Sequence, residues 1–292
     1  MSRFLPIAAV QAAPVPWDVE ATYEKFETEI AELKKNFPEI QLFVFPELYL
    51  SALGPVSRGV PPGYSPTAVA ETIPGPLTDR LCKLAEALGT WLVPGSFYEL
   101  GDDDKIYNSA VAISPKRGIV ARYRKIFPWR PWERTTAGNE FAVFDVDGLG
   151  RAGLMICYDG WFPEVARHLA WMGAEVILQP TATGTSDRQQ ELVLARANAI
   201  VNQVFVVNPN MGGGAGPGQS IIVDPEGHPL QVAGSGEEFL TEVLDLDAVQ
   251  RVRDFGSVGL NRMWAQLEGE GRGIDLPLYG GSFQPRKPAT GR

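Results

Sequence analysis

The segment GLMICYDGWFPEVARHL, residues 153–169, contains the clearest secondary-structure pattern of the chain. An apolar run ends at Cys157, the turn-forming pair Asp159-Gly160 follows, and a helical pattern begins at Pro163. A strand, a tight turn and a helix in succession are typical of an α/β protein. Backbone N–H groups and the helix dipole favour a thiolate at such a junction, so Cys157 is a candidate nucleophile. Because buried cysteines are common, this hypothesis depends on finding a partner side chain.

Short apolar runs alternate with helical patterns on both sides of this stretch, which predicts an α/β fold throughout. Residues 49–76 are rich in Pro and Gly, and a loop of that length inside a compact domain is predicted to be the wall of a pocket. The pattern weakens after residue 255. We therefore expect one domain over residues 1–255 and a C-terminal extension over residues 256–292.

The composition is that of an ordinary globular protein, with 45% hydrophobic and 21% charged residues. A net charge of −9 and the lack of a long Lys/Arg run argue against nucleic acid or an anionic membrane as the main partner. No stretch approaches the roughly 20 apolar residues of a membrane span. We expect a small-molecule partner.

Cysteine usage indicates a cytoplasmic protein. Two cysteines, Cys82 and Cys157, cannot form a disulfide framework, and a reducing compartment suits a free thiol. The opening MSRFLPIAAVQAA has some features of a signal peptide. Pro6 and Gln11 interrupt its apolar stretch, so a first core strand is the better interpretation.

Histidine is the usual partner of a catalytic cysteine, and this chain has two. His168 follows Cys157 on the predicted helix, roughly 16 Å along its axis. His228 lies in the turn PEGHPL. A Cys-His pair is therefore disfavoured. The same shortage of Cys and His leaves no recognisable metal-ligand spacing, and we expect no metal and no other cofactor.

Two charged residues at predicted strand ends are the remaining candidates, because reactive groups of α/β sheets gather there. Glu47 follows the apolar run LFVF and a proline, and Lys125 ends the alternating segment ARYRK. Taken alone, Glu47 could equally be a solvated glutamate at a loop start, and a surface lysine is the more common interpretation of Lys125.

The ordered set FPE, YRK and CYDGWFPE resembles the nitrilase superfamily, the carbon-nitrogen hydrolases that use a Glu, a Lys and a Cys. Further matches are AAVQAAP, YNSAV, GAEVILQPTA, ARANAIVNQVFVVN and GQSIIVDPEG, so the resemblance covers roughly residues 4–245. It implies a four-layer α-β-β-α sandwich with two sheets face to face. It also implies pairing through helical surfaces into a homodimer or higher homo-oligomer, and we expect residues 256–292 to pack on the partner subunit.

Carried over to this sequence, the resemblance implies that Glu47 is the general base, Lys125 the cationic stabiliser and Cys157 the nucleophile. Glu133, in WERTTAG, matches a second glutamate of many members, and Glu140 is a poorer match. The thiolate would attack a carbonyl carbon, with Lys125 and the backbone N–H of Tyr158 facing the oxyanion. Loss of ammonia or an amine would leave a thioester, which water would hydrolyse.

The sequence after the cysteine resembles the amidase branches, and Gly160 and Trp161 occupy the place where the carbamoylase branch commonly has arginine. A small or aromatic neutral amide is therefore the expected substrate, and an N-carbamoyl compound or a nitrile is the alternative. An inactive binding protein and acyl transfer to an amine also stay open. The expected oxyanion and substrate-binding residues are Tyr49, Trp129, Trp132, Tyr158, Trp161, Thr181 and Ala182.

Overall fold

Two β-sheets form the centre of the molecule. The computed structural model describes residues 2–54, 59–269, 274–279 and 281–283. The described strands are β1 (Phe4–Gln11), β2 (Leu42–Val44), β3 (Trp91–Val93), β4 (Ser96–Leu100), β5 (Ile106–Ser114), β6 (Gly118–Arg124), β7 (Ala142–Val146), β8 (Gly150–Leu154), β9 (Val176–Leu178), β10 (Phe205–Asn208), β11 (Ile221–Val223), β12 (Pro229–Val232), β13 (Glu238–Asp245), β14 (Ile274–Leu276) and β15 (Gly281–Phe283). The described α-helices are α1 (Val19–Asn36), α2 (Pro66–Val69), α3 (Pro76–Leu88), α4 (Pro163–Trp171), α5 (Arg188–Asn202), α6 (Asp247–Phe255) and α7 (Met263–Gly269).

Within the described residues, the first sheet has seven strands in the order β13-β1-β2-β3-β5-β4, with β6 also paired to β5. The run WLVPGSFYE, expected as one strand, forms β3 and β4 with a break at Pro94-Gly95. Gly95 has φ 83°, and a Cβ there would lie 1.8 Å from the Pro46 carbonyl oxygen. Only glycine fits this left-handed, closely packed position. Ser96, the first residue of β4, accepts the Leu48 N–H at 3.0 Å, so the break brings the start of β4 to the residue that follows Glu47.

The second sheet, counted over the described residues, has six strands in the order β12-β11-β10-β9-β8-β7. Its centre is parallel, since β9 pairs in parallel with both β8 and β10. Helices α4 and α5 connect these strands. This is the βαβ arrangement that gathers loops and side chains at the carboxyl ends of the parallel strands.

Alternating side chains on the strands divide the core into layers. On β1, Leu5, Ile7 and Ala9 pack between the two sheets, with Leu154 and Leu178 of the second sheet. Neighbours Ala8 and Val10 point to the other side of the strand, into a separate cluster that includes residues of α1 and α3. A third cluster packs α4 and α5 on the outer side of the second sheet. These layers confirm the predicted α-β-β-α sandwich.

The C-terminal part contains helices that the sequence pattern does not predict. Helix α6 follows β13 directly, and α7 lies inside the expected extension. Trp264 of α7 is buried and packs with α4 and α5, and its Nε1 donates to the Asn202 carbonyl oxygen at 3.1 Å. The extension therefore begins against its own chain. The side chain of Phe283, expected to contact a partner, lies outside the described residues.

Among the described residues, we find no helix with both the length and the apolar character needed to cross a membrane.

Candidate active site

Three strand ends deliver charged or reactive side chains to one cavity of about 650 Å³. Glu47 follows β2, Lys125 follows β6 directly, and Cys157 follows β8. The cavity is lined by Glu47, Leu48, Leu53, Gly54, Tyr98, Lys125, Trp129, Trp132, Glu133, Cys157, Tyr158, Ala182, Thr183, Gly184, Thr185, Asp187, Glu191, Met211, Gly214, Ala215 and Gly216. Leu53 and Gly54 belong to the long loop that was expected to form a pocket wall.

Lys125 lies between two carboxylates. Its Nζ is 2.7 Å from Glu47 Oε1 and 2.7 Å from Glu133 Oε2, and its side chain is 1% exposed. Asn108, on the neighbouring strand β5, donates from Nδ2 to the same two carboxylates at 2.8 and 2.9 Å. The backbone N–H of Ala182 donates to the second oxygen of Glu47 at 3.1 Å. These contacts hold both glutamates in fixed positions around the ammonium.

Burial and neighbouring charges shift the pKa values of this group of residues. Burial raises the pKa of Glu47, against the opposing charge of Lys125. Burial alone would lower the pKa of Lys125, but the charges of Glu47, Cys157 and Glu133 raise it well above its ordinary value. Lys125 also overcomes the effect of burial on Glu133 and lowers the pKa of that carboxyl. The ammonium is therefore a permanent cation at this end of the cavity.

The surroundings of Cys157 favour the neutral thiol over the thiolate. Burial and the charges of Glu47 and Glu191 raise its pKa well above the ordinary value, although Lys125 acts in the opposite direction. A neutral thiol is a poor nucleophile and needs a base. A carboxylate whose own pKa is raised, such as Glu47, is better matched to accept that proton than an exposed carboxylate would be.

Cys157 lies in a strained turn. Strand β8 ends at Leu154 rather than at Cys157, and Cys157 begins a 3₁₀ turn (Cys157–Trp161) with φ 45°. A positive φ is costly for a residue with a Cβ and persists only where surrounding contacts enforce it. The Cys157 N–H donates to the Pro180 carbonyl at 2.9 Å, and Gln179 Nε2 donates to the Cys157 carbonyl at 2.9 Å.

Asp159 ties this turn to the segment that carries Lys125. Its buried carboxylate accepts the Ile156 N–H at 2.9 Å, the Phe127 N–H at 2.8 Å and the Tyr123 hydroxyl at 2.7 Å. Ile156 precedes the nucleophile, whereas Tyr123 and Phe127 flank Lys125. The relative positions of the thiol and the ammonium therefore depend on one carboxylate.

Four of the seven expected pocket residues line the cavity, and three do not. Trp129, Trp132, Tyr158 and Ala182 are lining residues. Tyr49, Trp161 and Thr181 are absent from the cavity wall. Leu48 has φ 51°, and the Tyr49 side chain packs in the cluster beneath α1 and α3, with its hydroxyl 3.3 Å from Glu29. The buried Thr181 hydroxyl donates to the Gln179 carbonyl at 3.0 Å.

The family model for carbon-nitrogen hydrolases matches residues 6–254. The chain belongs to the carbon-nitrogen hydrolase family. This match and the solved relatives described below confirm the resemblance to the nitrilase superfamily.

The hydrolase is similar to a formamidase of Bacillus cereus (strain Q1), with 31% identity over 217 residues that cover 71% of this chain and 62% of that protein. The match thus spans less than two thirds of the length of this curated relative. Among solved structures, the chain is similar to Saccharomyces cerevisiae Nit3, a member of branch 10 of the nitrilase superfamily. That similarity has a TM-score of 0.75 and 27% identity, and covers 90% of this chain and 97% of Nit3.

A second solved relative is a variant of the amidase from Nesterenkonia sp. AN1. It has a TM-score of 0.71 and 25% identity, and the match covers 89% of this chain and 99% of that chain. In that structure acrylamide has undergone Michael addition at the active-site cysteine.

Three residues of the hydrolase's site do not follow from motif spacing. Asn108 lies in the segment YNSAV, which matches the family, but no role at the site follows from that match. Thr183 follows the β9 segment without a distinguishing pattern. The Cys157 Sγ lies 3.7 Å from Thr183 Oγ1 and 3.8 Å from Glu191 Oε1. Glu191 is on the first turn of α5, where a carboxylate is usually explained by the helix dipole. The sequence therefore carries no specific signal for it.

The described residues include one group of side chains with metal-ligand spacing outside the cavity. Ligand atoms of Asp224, Glu226 and His228 lie within 4.8 Å of one another. Asp224 Oδ1 accepts the backbone N–H groups of Glu226 and His228, each at 2.9 Å, and its Oδ2 is 3.1 Å from His228 Nδ1. These hydrogen bonds of a surface turn account for the cluster, and we assign it no metal.

Proposed function

We propose that this hydrolase cleaves the carbon-nitrogen bond of a small amide through a thioester on Cys157, releasing ammonia or an amine and a carboxylic acid. The observation that carries the proposal is the meeting of Glu47, Lys125 and Cys157 in one cavity, with Lys125 paired to Glu47 at 2.7 Å. The names of the relatives, a formamidase and an amidase with an active-site cysteine, support the same reaction.

In the first half of the reaction, Glu47 accepts the thiol proton as the sulfur attacks the amide carbon. Negative charge then develops on the carbonyl oxygen, which faces the Lys125 ammonium and the Tyr158 N–H. Each such donor typically contributes ~3 kcal/mol to transition-state stabilisation. Glu47 passes its proton to the leaving nitrogen, the carbon-nitrogen bond breaks, and a thioester remains.

In the second half, water replaces the departed amine. Glu47 takes a proton from the water, whose oxygen attacks the thioester carbon. The carbon-sulfur bond breaks, the carboxylic acid leaves, and the proton returns to the Cys157 sulfur. Glu133 acts as a positioning residue in both halves, because its carboxylate binds the Lys125 ammonium at 2.7 Å in addition to Glu47.

A neutral amide fits this cavity better than a carboxylate-bearing ureide. Lys125 is the one basic side chain among the described lining residues, and two glutamates already bind it. No described arginine lines the wall to hold a substrate carboxylate. Trp129, Trp132 and Tyr158 supply aromatic surface for a small or aromatic acyl group.

Ammonia release across a panel of amides, ureides and nitriles tests the proposal. We expect turnover of small primary amides, complete loss in Cys157→Ala and retention in Cys82→Ala, the matched substitution of the second cysteine. His168→Ala and His228→Ala should stay within a few-fold of the unmodified enzyme. Conversion of nitriles to acids faster than any amide, or activity that survives Cys157→Ala, would contradict the assignment.

We also propose a cytoplasmic homo-oligomer of this chain. Two free cysteines suit a reducing compartment. Val193, Ile200 and Val201 of α5 and Phe255, at the end of α6, are exposed apolar side chains. Exposed apolar side chains of this kind favour association. We propose that residues beyond α7 extend this contact onto a partner subunit, while Trp264 anchors the start of the extension on its own chain.

A further inference from the structure

Glu191 is a buried carboxylate in the wall of the cavity whose two oxygens have different surroundings. Oε2 accepts the Thr183 hydroxyl and Arg188 Nη1, the latter at 3.2 Å. Oε1 lies 3.8 Å from the Cys157 sulfur, and no other hydrogen-bond donor among the described residues contacts it. The residue is 4% exposed. One carboxylate oxygen is thus directed at the nucleophile and has room for a stronger donor than a thiol.

Arg188 pairs with Glu191 from outside the cavity wall. It forms an ion pair with Glu191 on the side of Oε2 and donates from Nη2 to the Gln219 carbonyl at 2.7 Å. Arg188 does not line the cavity. A buried carboxylate paired through one oxygen, with the other oxygen free of strong donors, is a favourable site for a cation.

The rest of the described wall has the same sign of charge. Asp187 lines the cavity beside Glu191, and the one lining cation, Lys125, is already shared by Glu47 and Glu133. A substrate with a carboxylate near its amide would face the carboxylates of Glu191 and Asp187 here. A substrate with an ammonium group would replace its lost hydration with a charge-assisted hydrogen bond.

We propose that Glu191 is a specificity residue for amides that carry an ammonium group on the carbon next to the carbonyl, as in amino acid amides. This inference rests on the proposed amide hydrolysis. When the amide carbon is bonded to the Cys157 sulfur, a substituent on the adjacent carbon lies within hydrogen-bond reach of Glu191 Oε1, since that oxygen is 3.8 Å from the sulfur. The ammonium donates to Oε1, the amide oxygen faces Lys125, and the leaving nitrogen faces Glu47.

Alaninamide and isobutyramide form a matched pair of substrates, because they differ only by an ammonium in place of a methyl group. We expect kcat/KM for alaninamide to exceed that for isobutyramide at about pH 7, below the pKa of about 7.7–8.0 of an α-amino group. Glu191→Gln keeps the hydrogen bonds to Thr183 and Arg188 but removes the charge. It should lower the alaninamide to isobutyramide ratio about 10- to 100-fold, the range of a charged hydrogen bond.

Glu140→Gln is the control, since Glu140 is exposed and lies outside the cavity wall. It should leave the ratio unchanged. Glu191→Asp retains the charge on a shorter side chain, so its ratio should lie between those of the unmodified enzyme and Glu191→Gln. A ratio of one in the unmodified enzyme, or a ratio that Glu191→Gln does not change, would refute the proposal.

Alkylation of Cys157 tests the same charge preference without amide hydrolysis. The reagents are 2-bromoethylammonium, iodoacetamide and iodoacetate, each scaled to its rate with free cysteine and followed at the Cys157 peptide by mass spectrometry. We expect the cation to react fastest and the anion slowest. The ratio of the scaled alkylation rates of 2-bromoethylammonium and iodoacetamide should fall in Glu191→Gln but not in Glu140→Gln. Changes in thiol pKa cancel in that ratio.

The two experiments separate failure of this inference from failure of the proposed function. If no amide is hydrolysed but the charge preference of alkylation depends on Glu191, the hydrolytic function is wrong and cation recognition stands. If amides are hydrolysed but neither ratio depends on Glu191, the specificity role is wrong. If Glu191→Gln does not fold, Glu191→Asp and the reagent order of the unmodified enzyme decide.

Discussion

Lys125 shows at the residue scale how the fold tolerates several buried charges. An isolated buried ammonium would be strongly destabilising, but this one has a carboxylate oxygen at 2.7 Å on each of two sides. Asn108 donates to both carboxylates and so limits the repulsion between them. The charged and polar side chains of this group therefore compensate one another. Removal of one leaves the others buried without a partner.

Lys125→Met tests this interdependence. Two buried carboxyl groups would then lie close together without a cation, and breaking a buried pair typically costs about 3–5 kcal/mol of unfolding free energy. Because Lys125 also faces the developing oxyanion, kcat should fall at least ~10²-fold. Denaturant unfolding and ammonia release measure the two effects. Lys105→Met, which breaks an exposed ion pair with Asp103, is the control and should change neither. An unchanged unfolding free energy in Lys125→Met would show that the ion pairs of Lys125 with Glu47 and Glu133 do not contribute to stability.

The turn from β8 to α4 is the element that places Cys157 in the cavity. Strand β8 packs closely under α4, since a Cβ on Gly153 would lie 3.1 Å from the Leu169 Cβ. Gly160 is equally confined, because a Cβ there would lie 2.3 Å from Gln179 Nε2. With both sides of the turn packed, the positive φ of Cys157 is enforced by its surroundings.

Asp159→Asn should weaken this element. A carboxamide has one acceptor oxygen, so at least one of the three donors to Asp159 would lose its partner, at a cost of about 1–3 kcal/mol. Denaturant unfolding should show this loss, and kcat should fall because Cys157 and Lys125 are no longer held together. Asp147→Asn, at an exposed ion pair with Arg117, is the control. An unaltered kcat in Asp159→Asn would exclude a positioning role.

The same variant gives a prediction for pH. Burial raises the pKa of Asp159 from 3.8 to about 6. A carboxyl with a raised pKa in the folded state contributes stability that is fully present below pH 3.8 and is lost as the pH rises through about 6. The loss of unfolding free energy in Asp159→Asn, relative to the unmodified protein, should therefore be larger at pH 4 than at pH 7. Denaturant unfolding at the two pH values measures it.

Most of the segment from β8 to α4 could be predicted from sequence, but the residue at which β8 ends could not. Apolar patterning predicts β8, and Pro163 predicts the start of α4, as observed. Patterning places the strand end at Cys157, whereas pairing ends at Leu154. The pattern reports burial, and residues 155–157 are buried although the strand assignment ends at Leu154; Met155 and Cys157 still donate single backbone hydrogen bonds to Leu178 and Pro180. The break between β3 and β4 at Pro94-Gly95 likewise depends on a tertiary contact, because Gly95 packs against the Pro46 carbonyl.

At the scale of the whole molecule, the sandwich brings together chain segments that are distant in sequence. Glu47 and Lys125 follow strands of the first sheet, and Cys157 and Glu191 belong to the second sheet and its helix. The cavity therefore lies where the two sheets meet, and stacking of the sheets is required to assemble it. A ligand that binds this cavity should therefore raise the unfolding free energy of the whole sandwich, because it contacts residues of both sheets.

Truncation after residue 269 tests the proposed role of the extension. We expect light scattering to report an oligomer for the full chain and a smaller assembly for the truncated one, with Trp264 still in place. Trp264→Ala, by contrast, should lower the unfolding free energy by about 3–5 kcal/mol, because it removes a buried indole from the contact with α4 and α5. A mass of 31.8 kDa for both the full and truncated chains would contradict the oligomer proposal.

Local patterns in the sequence predict the α/β class, the succession of strands along the chain, and Glu47, Lys125 and Cys157 at strand ends, and the resemblance to the nitrilase superfamily adds Glu133. The tertiary structure decided which side chains share the cavity. Tyr49 adjoins Glu47's motif but packs under α1, since a positive φ at Leu48 turns the chain. Glu191 is distant in sequence but lies 3.8 Å from the thiol, because α5 packs beside the Cys157 turn. Side-chain direction and helix placement arise from packing between layers, which no local pattern contains.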